Sequence, residues 1–169
     1  VTITRLDDGA STNFNILPST NQGSKNWGWN MKEGDKTITS EVEDGINCCV
    51  MKRGTVAQTG WSVITYSPIN RNKFKTGTKY TISFEIKSSV TSSNCNVCLL
   101  EGDATDAMSN TVTVGNVPQA NVWTKMQGTL TTVATFPEST AQQVYITGLA
   151  SGTGVIHKFR NLKIEEGLR

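Results

Sequence analysis

The chain has 169 residues, 36% of them hydrophobic and 18% charged, with a formal net charge of +2. That length suits one domain with a core of useful size, and the scattered charge, with no basic stripe, argues against a nucleic-acid partner. No apolar run approaches the roughly 18 residues that a membrane-spanning helix needs, so no membrane partner is expected.

The share that charge and apolar residues leave open goes to Thr, Ser, Asn and Gly. Thr lines strands, while the other three make turns, a mixture suited to extracellular or virion-type β proteins. The chain opens at Val1 with no initiator Met and no signal peptide, and it reads as a piece of a longer protein. Residues 1–4 alternate like a strand, and DDGASTN at 7–13 is polar and loop-like, so 1–14 is read as an arm or linker from a preceding domain. Residues 15–169 are read as one domain.

At 26–30 stands NWGWN, two tryptophans one residue apart on a turn-prone stretch. In a strand the two would share a face. Strand patterns follow at 36–40, 46–51, 61–66, 80–87, 96–101, 111–114, 123–132, 143–148 and 155–165. The alternation is cleanest at 80–87, with Tyr80, Ile82, Phe84 and Ile86 on one face and Thr81, Ser83, Glu85 and Lys87 on the other. In the last run Phe159, Leu162 and Ile164 keep no strict period, which predicts a bulge. Turn signals separate the runs: Asp44-Gly45, Thr76-Gly77, Glu101-Gly102-Asp103, Gly115-Asn116, Phe136-Pro137 and SGTG at 151–154, while Ser67-Pro68 closes the run at 61–66. A helix of one or two turns fits 104–108. About ten short strands at this spacing predict an all-β, two-sheet antiparallel sandwich.

Cys48, Cys49, Cys95 and Cys98 give only one C-x-x-C spacing, and neighbours in a strand face opposite ways. They are read as small apolar strand residues kept reduced, with a disulfide or a zinc site as lesser alternatives. No catalytic set emerges. The single histidine, His157, lacks a marked nucleophile and reads as exposed or at the core edge. No paired carboxylates, nucleophile elbow or phosphate loop appears, so the expectation is a non-enzyme with no metal and no cofactor.

The aromatics carry the functional expectation. A sugar ring needs a flat apolar surface with hydrogen-bonding groups around it, which Trp and Tyr with Asn, Gln and Arg supply. The candidate saccharide-binding residues are therefore Trp27, Trp29 and Asn30, then Trp61 and Tyr66 with Arg53 and Gln58. Trp61 and Tyr66 would face opposite ways in a regular strand, which puts one of them in the core. Tyr145 is a weaker candidate, and Trp123 is read as structural and internal.

Four stretches then carry a resemblance. NILPSTN at 15–21, KTGTKYTISFEIK at 75–87, WTKMQGTL at 123–130 and FRNLKIEEG at 159–167 resemble, in order, the anchors of carbohydrate-binding-module-like jelly rolls. The Arg-Asn and Glu-Glu-Gly form of the last is similar to modules in tail and baseplate proteins of phages infecting Gram-positive bacteria. The resemblance implies a jelly roll that binds saccharide in a virion tail or baseplate. Its expected partners are bacterial cell-surface polysaccharide and other virion proteins. Two alternatives remain: a structural baseplate domain whose aromatics meet a neighbouring protein, or an accessory module of a secreted glycoside hydrolase. Enzyme-borne relatives end in an acidic strand that helps hold calcium. Here Arg160 stands at that place, and the calcium is not carried over.

Overall fold

A computed structural model describes residues 29–31, 35–55, 64–69, 75, 77–101, 111–132, 142–150 and 152–167. The expected arm at 1–14 and the short helix at 104–108 lie outside these. Ten strands are described: β1 (Trp29–Met31), β2 (Lys36–Glu43), β3 (Ile46–Arg53), β4 (Ile64–Ile69), β5 (Lys79–Ser88), β6 (Ser92–Glu101), β7 (Thr111–Val117), β8 (Thr124–Thr131), β9 (Gln142–Thr147) and β10 (Ile156–Glu166). They form two five-stranded sheets. The first runs β1-β4-β9-β6-β7 and the second β2-β3-β10-β5-β8, with antiparallel pairing throughout. The chain passes from one sheet to the other at every link except β2 to β3 and β6 to β7, and the expected all-β sandwich is what the sequence builds.

Local chemistry explains the hairpin. Asp44 and Gly45 have φ of 55° and 74°, and they join Glu43 to Ile46 by a two-residue turn. Positive φ at both positions makes a hairpin turn whose twist matches its strands, and Asp-Gly adopts it at low cost. Two other turn signals were overridden. Gly115-Asn116 lies inside β7, where Gly115 takes φ 150° beside a register shift against Cys95, a bulge that glycine accommodates without strain. Ser67-Pro68 lies inside β4, where the register shifts between Tyr66 and Ile69. A bulge spares proline its missing ladder donor.

The core lies between the sheets. Tyr80, Ile82, Phe84 and Ile86 of β5, with Met51, Phe159, Leu162 and Ile164, come from the second sheet; Val97, Leu99, Val144 and Ile146 come from the first. Phe84 and Phe159 rings meet at 6.0 Å. The expected bulge in β10 falls between Arg160 and Lys163, and it returns Leu162 and Ile164 to the core side. The four cysteines are free and buried. Cys49 and Cys95 face the core, where burial pushes both thiols up to about 12.

Candidate functional site

Two motifs far apart in sequence become neighbours at one edge of the first sheet. β1 carries Trp29 and Asn30, and β4 carries Tyr66. Trp29 pairs in register with Tyr66, and Asn30 with Thr65. The Trp29 and Tyr66 row continues through Val144 to Leu99, which belong to the core. The alternate register row runs through Asn30, Thr65, Tyr145, Cys98 and Thr111; within it Tyr145 and Cys98 lie outside the core cluster, on the face away from the second sheet. Arg53 is not with them: it ends β3 in the second sheet and is 3% exposed. Trp27, Gln58 and Trp61 lie outside the described residues.

The outer face of the first sheet has a distinct chemistry. Glu101 is the only acid or base in its five strands. Tyr145 sits at the middle of the row, 8% exposed, with Cys98 and Thr147 buried beside it. Asn96 pairs with Thr147 on one side and Thr113 on the other. The Thr113 hydroxyl donates to Asn96 Oδ1 at 2.8 Å, and Thr111 Oγ1 lies 3.0 Å from the Cys98 sulfur. Burial raises the Cys98 thiol, keeping it protonated. The face thus gathers hydroxyl, amide and thiol groups around one aromatic ring, mostly buried, with Thr113 exposed on β7. Uncharged donors and acceptors beside a ring match sugar hydroxyls and the apolar face of a pyranose. Of this set the sequence marks Asn30 and, more weakly, Tyr145 as candidates for binding. The other signal was available: β6, β7 and β9 set apolar residues on one face and Asn, Thr and Tyr on the other.

The outer face of the second sheet is the opposite case. Trp123, expected inside, lies there half-buried: the Arg160 guanidinium sits 3.9 Å above its ring, and its Nε1 donates to Glu43 Oε1 at 3.1 Å. Arg160 also forks to Glu85 at 3.2 and 3.3 Å and reaches Asp44 at 3.2 Å. Glu43 takes Lys87 at 2.5 Å and Lys158 at 3.3 Å, and Lys158 also pairs with Glu41. The Lys87 ammonium, foremost, holds the Glu43 carboxyl down to about 2. These seven charged groups satisfy one another. His157 departs from its expected exposure: it is 0% exposed, with Nε2 3.0 Å from Ala150 O. Among the described residues no group of three or more His, Cys, Asp or Glu is placed to hold a metal.

The profile of the carbohydrate binding domain family CBM_4_9 matches residues 19–151. No curated protein matches the chain in sequence. Among solved structures, the CBM22-1 and GH10 modules of Clostridium thermocellum endo-1,4-beta-D-xylanase 10B, complexed with xylohexaose, are similar at TM-score 0.65 and 14% identity. That match covers 94% of this chain, which spans 29% of the xylanase chain. The CBM22-1 xylan-binding domain of Xyn10C from Paenibacillus barcinonensis is similar at TM-score 0.63 and 15% identity, covering 95% of this chain and 99% of that one. The enzymatically active domain of tailspike protein 4 of bacteriophage CBA120 is similar at TM-score 0.57 and 17% identity, covering 89% of this chain and 21% of that one. At these identities the likeness is one of fold.

Proposed function

Because the chain belongs to the carbohydrate binding domain family, we propose that the outer face of its first sheet binds polysaccharide without catalysis. The observation that carries this is the row Asn30, Thr65, Tyr145, Cys98 and Thr111. It offers one ring and several uncharged hydrogen-bonding groups on a face whose strands hold a single acid. Charged groups would be desolvated by a neutral glycan without compensation, whereas hydroxyls and amides trade partners at little cost.

The test is affinity for soluble polysaccharides, compared between wild type, Tyr145→Phe and Tyr145→Ala of verified thermal stability. Stacking on a ring contributes about 1 kcal/mol or more. Tyr145→Ala is expected to weaken binding about tenfold, with Tyr145→Phe in between. Wild-type affinity in a folded Tyr145→Ala would refute the placement.

The setting we propose is a phage tail or baseplate protein, in which the domain adheres to bacterial cell-surface polysaccharide. The closing stretch Arg160-Asn161 to Glu165-Glu166-Gly167 supports this by resemblance. Many copies per virion would make weak sites sufficient, since avidity adds about 10²–10⁴. The second reading, an accessory module of a secreted glycoside hydrolase, draws support from the xylan-binding and xylanase neighbours. Pull-down on Gram-positive cells and wall polysaccharide against insoluble xylan separates the two. Adhesion predicts retention on the former, and retention on xylan alone favours the enzyme module.

A further inference from the structure

The second sheet carries a cleft that lies on the face opposite Tyr145. It measures about 380 Å³ and is lined by Ser83, Phe84, Glu85, Lys125, Asn161 and Lys163. Its origin is the bulge in β10, where the register against β5 shifts between Arg160 and Lys163 and Asn161 takes φ 57°. A bulge bends its strand and re-aims the side chains beside it.

Ser83 is 6% exposed and lines the cleft. Its hydroxyl has no partner among the described residues. Lys163 is the register partner of Ser83, and Lys125 that of Glu85. The two lysines therefore flank β5 on both sides, two residues apart along it. Both are exposed, and neither meets a carboxylate within salt-bridge distance among the described residues. The acid within the cleft, Glu85, already takes both arms of the Arg160 fork and the Asn161 amide at 2.5 Å. Two ammonium groups and an unmatched hydroxyl thus stand beside a carboxylate whose charge is already balanced. A neutral sugar would cover the ammonium groups without a counter-charge, while an oxyanion can meet both and the hydroxyl together.

We propose that this cleft binds an anionic substituent of polysaccharide, a carboxylate or a phosphate, as a second glycan contact on the opposite face of the sandwich. For the polymer it rests on the polysaccharide reading above; for the anion it stands by itself. The test is a titration of isotope-labelled protein with sodium glucuronate, inorganic phosphate and glucose, following backbone amide shifts. Either anion is expected to move the amides of Ser83, Glu85, Lys125 and Lys163 saturably, and glucose is not. Lys125→Gln/Lys163→Gln is expected to weaken that binding about tenfold. The charge-matched control Lys52→Gln/Lys79→Gln is expected to leave it unchanged. The proposal is overturned if neither anion saturates, if the cleft variant binds as wild type, or if the control weakens binding equally.

Polygalacturonate and wall teichoic acid then distinguish the carboxylate from the phosphate source. Saturation by the anion with no binding of any neutral polysaccharide would sink the Tyr145 face and leave the cleft standing. The reverse pattern would do the opposite.

Discussion

Trp123 and Arg160 show how one contact reorganises a surface. The ring is a platform for the guanidinium, whose fork then reaches Glu85 and Asp44. A cation over an indole contributes about 0.5–2 kcal/mol, and the indole N–H bond to Glu43 roughly another 1 kcal/mol. Trp123→Ala is expected to lower unfolding free energy by about 1–3 kcal/mol in urea. Trp123→Phe keeps the platform and should lose about half as much. His157 makes a second prediction. Burial, the larger cause, holds its imidazole down to about 4 from an ordinary 6.5, with the nearby Arg53 cation adding to it. The unfolded chain takes its proton near 6.5 and the folded chain only near 4. Stability is therefore full above pH 6.5 and declines as pH falls toward 4, by about 3 kcal/mol in all. Melting temperature should drop between pH 7 and 4.5, and His157→Gln should flatten that drop. The Glu43 contribution fades only below 4.5, outside that range. An unchanged slope in the variant would assign the acid sensitivity elsewhere.

At the scale of elements, the bulge in β10 is the most exacting feature. Asn161 holds a left-handed backbone at φ 57°, which Asn and Gly tolerate and β-branched residues resist by about 1–2 kcal/mol. Asn161→Val is expected to destabilise by about 2 kcal/mol in denaturant titration, and Asn161→Gly by much less, the difference reporting the backbone alone. This bulge was legible in the sequence, because Phe159, Leu162 and Ile164 break the strand period. The Asp44-Gly45 hairpin and the alternation of β5 were legible for the same kind of local reason. Gly115-Asn116 and Ser67-Pro68 misled because a bulge admits the same residues as a turn. Only long-range pairing decides between them. Trp123 misled because alternation sorts residues onto two faces without saying which face meets the core.

Seen whole, the molecule separates its charge between two faces. The outer face of the second sheet holds Glu41, Glu43, Glu85, Lys87, Lys158 and Arg160 in mutual pairs, whereas the strands of the first hold Glu101 alone. Composition averages the two and shows only a near-neutral chain. Hence fold class was legible from strand count and spacing, while the neutral face centred on Tyr145 was not. It needs strands β1, β4, β9, β6 and β7 side by side, an order that no local signal encodes. The tryptophan motif runs into β1, where Trp29 and Asn30 pair with Tyr66 and Thr65 at one edge of the first sheet.

The sheet orders also set a schedule for the newly made chain. β9 is the middle strand of the first sheet and β10 the middle strand of the second, although both come after the other eight in the sequence. Until they are synthesised, β4 has no partner on its β6 side, and β3 cannot join β5. Neither sheet can close, so folding waits for β9 and β10 to leave the ribosome. Such non-local topologies fold in milliseconds to seconds. During that wait the edges of β3, β4, β5 and β6 lie open to other chains. The yield of soluble protein should therefore depend on chaperone supply and on synthesis rate more than on the stability of the finished fold.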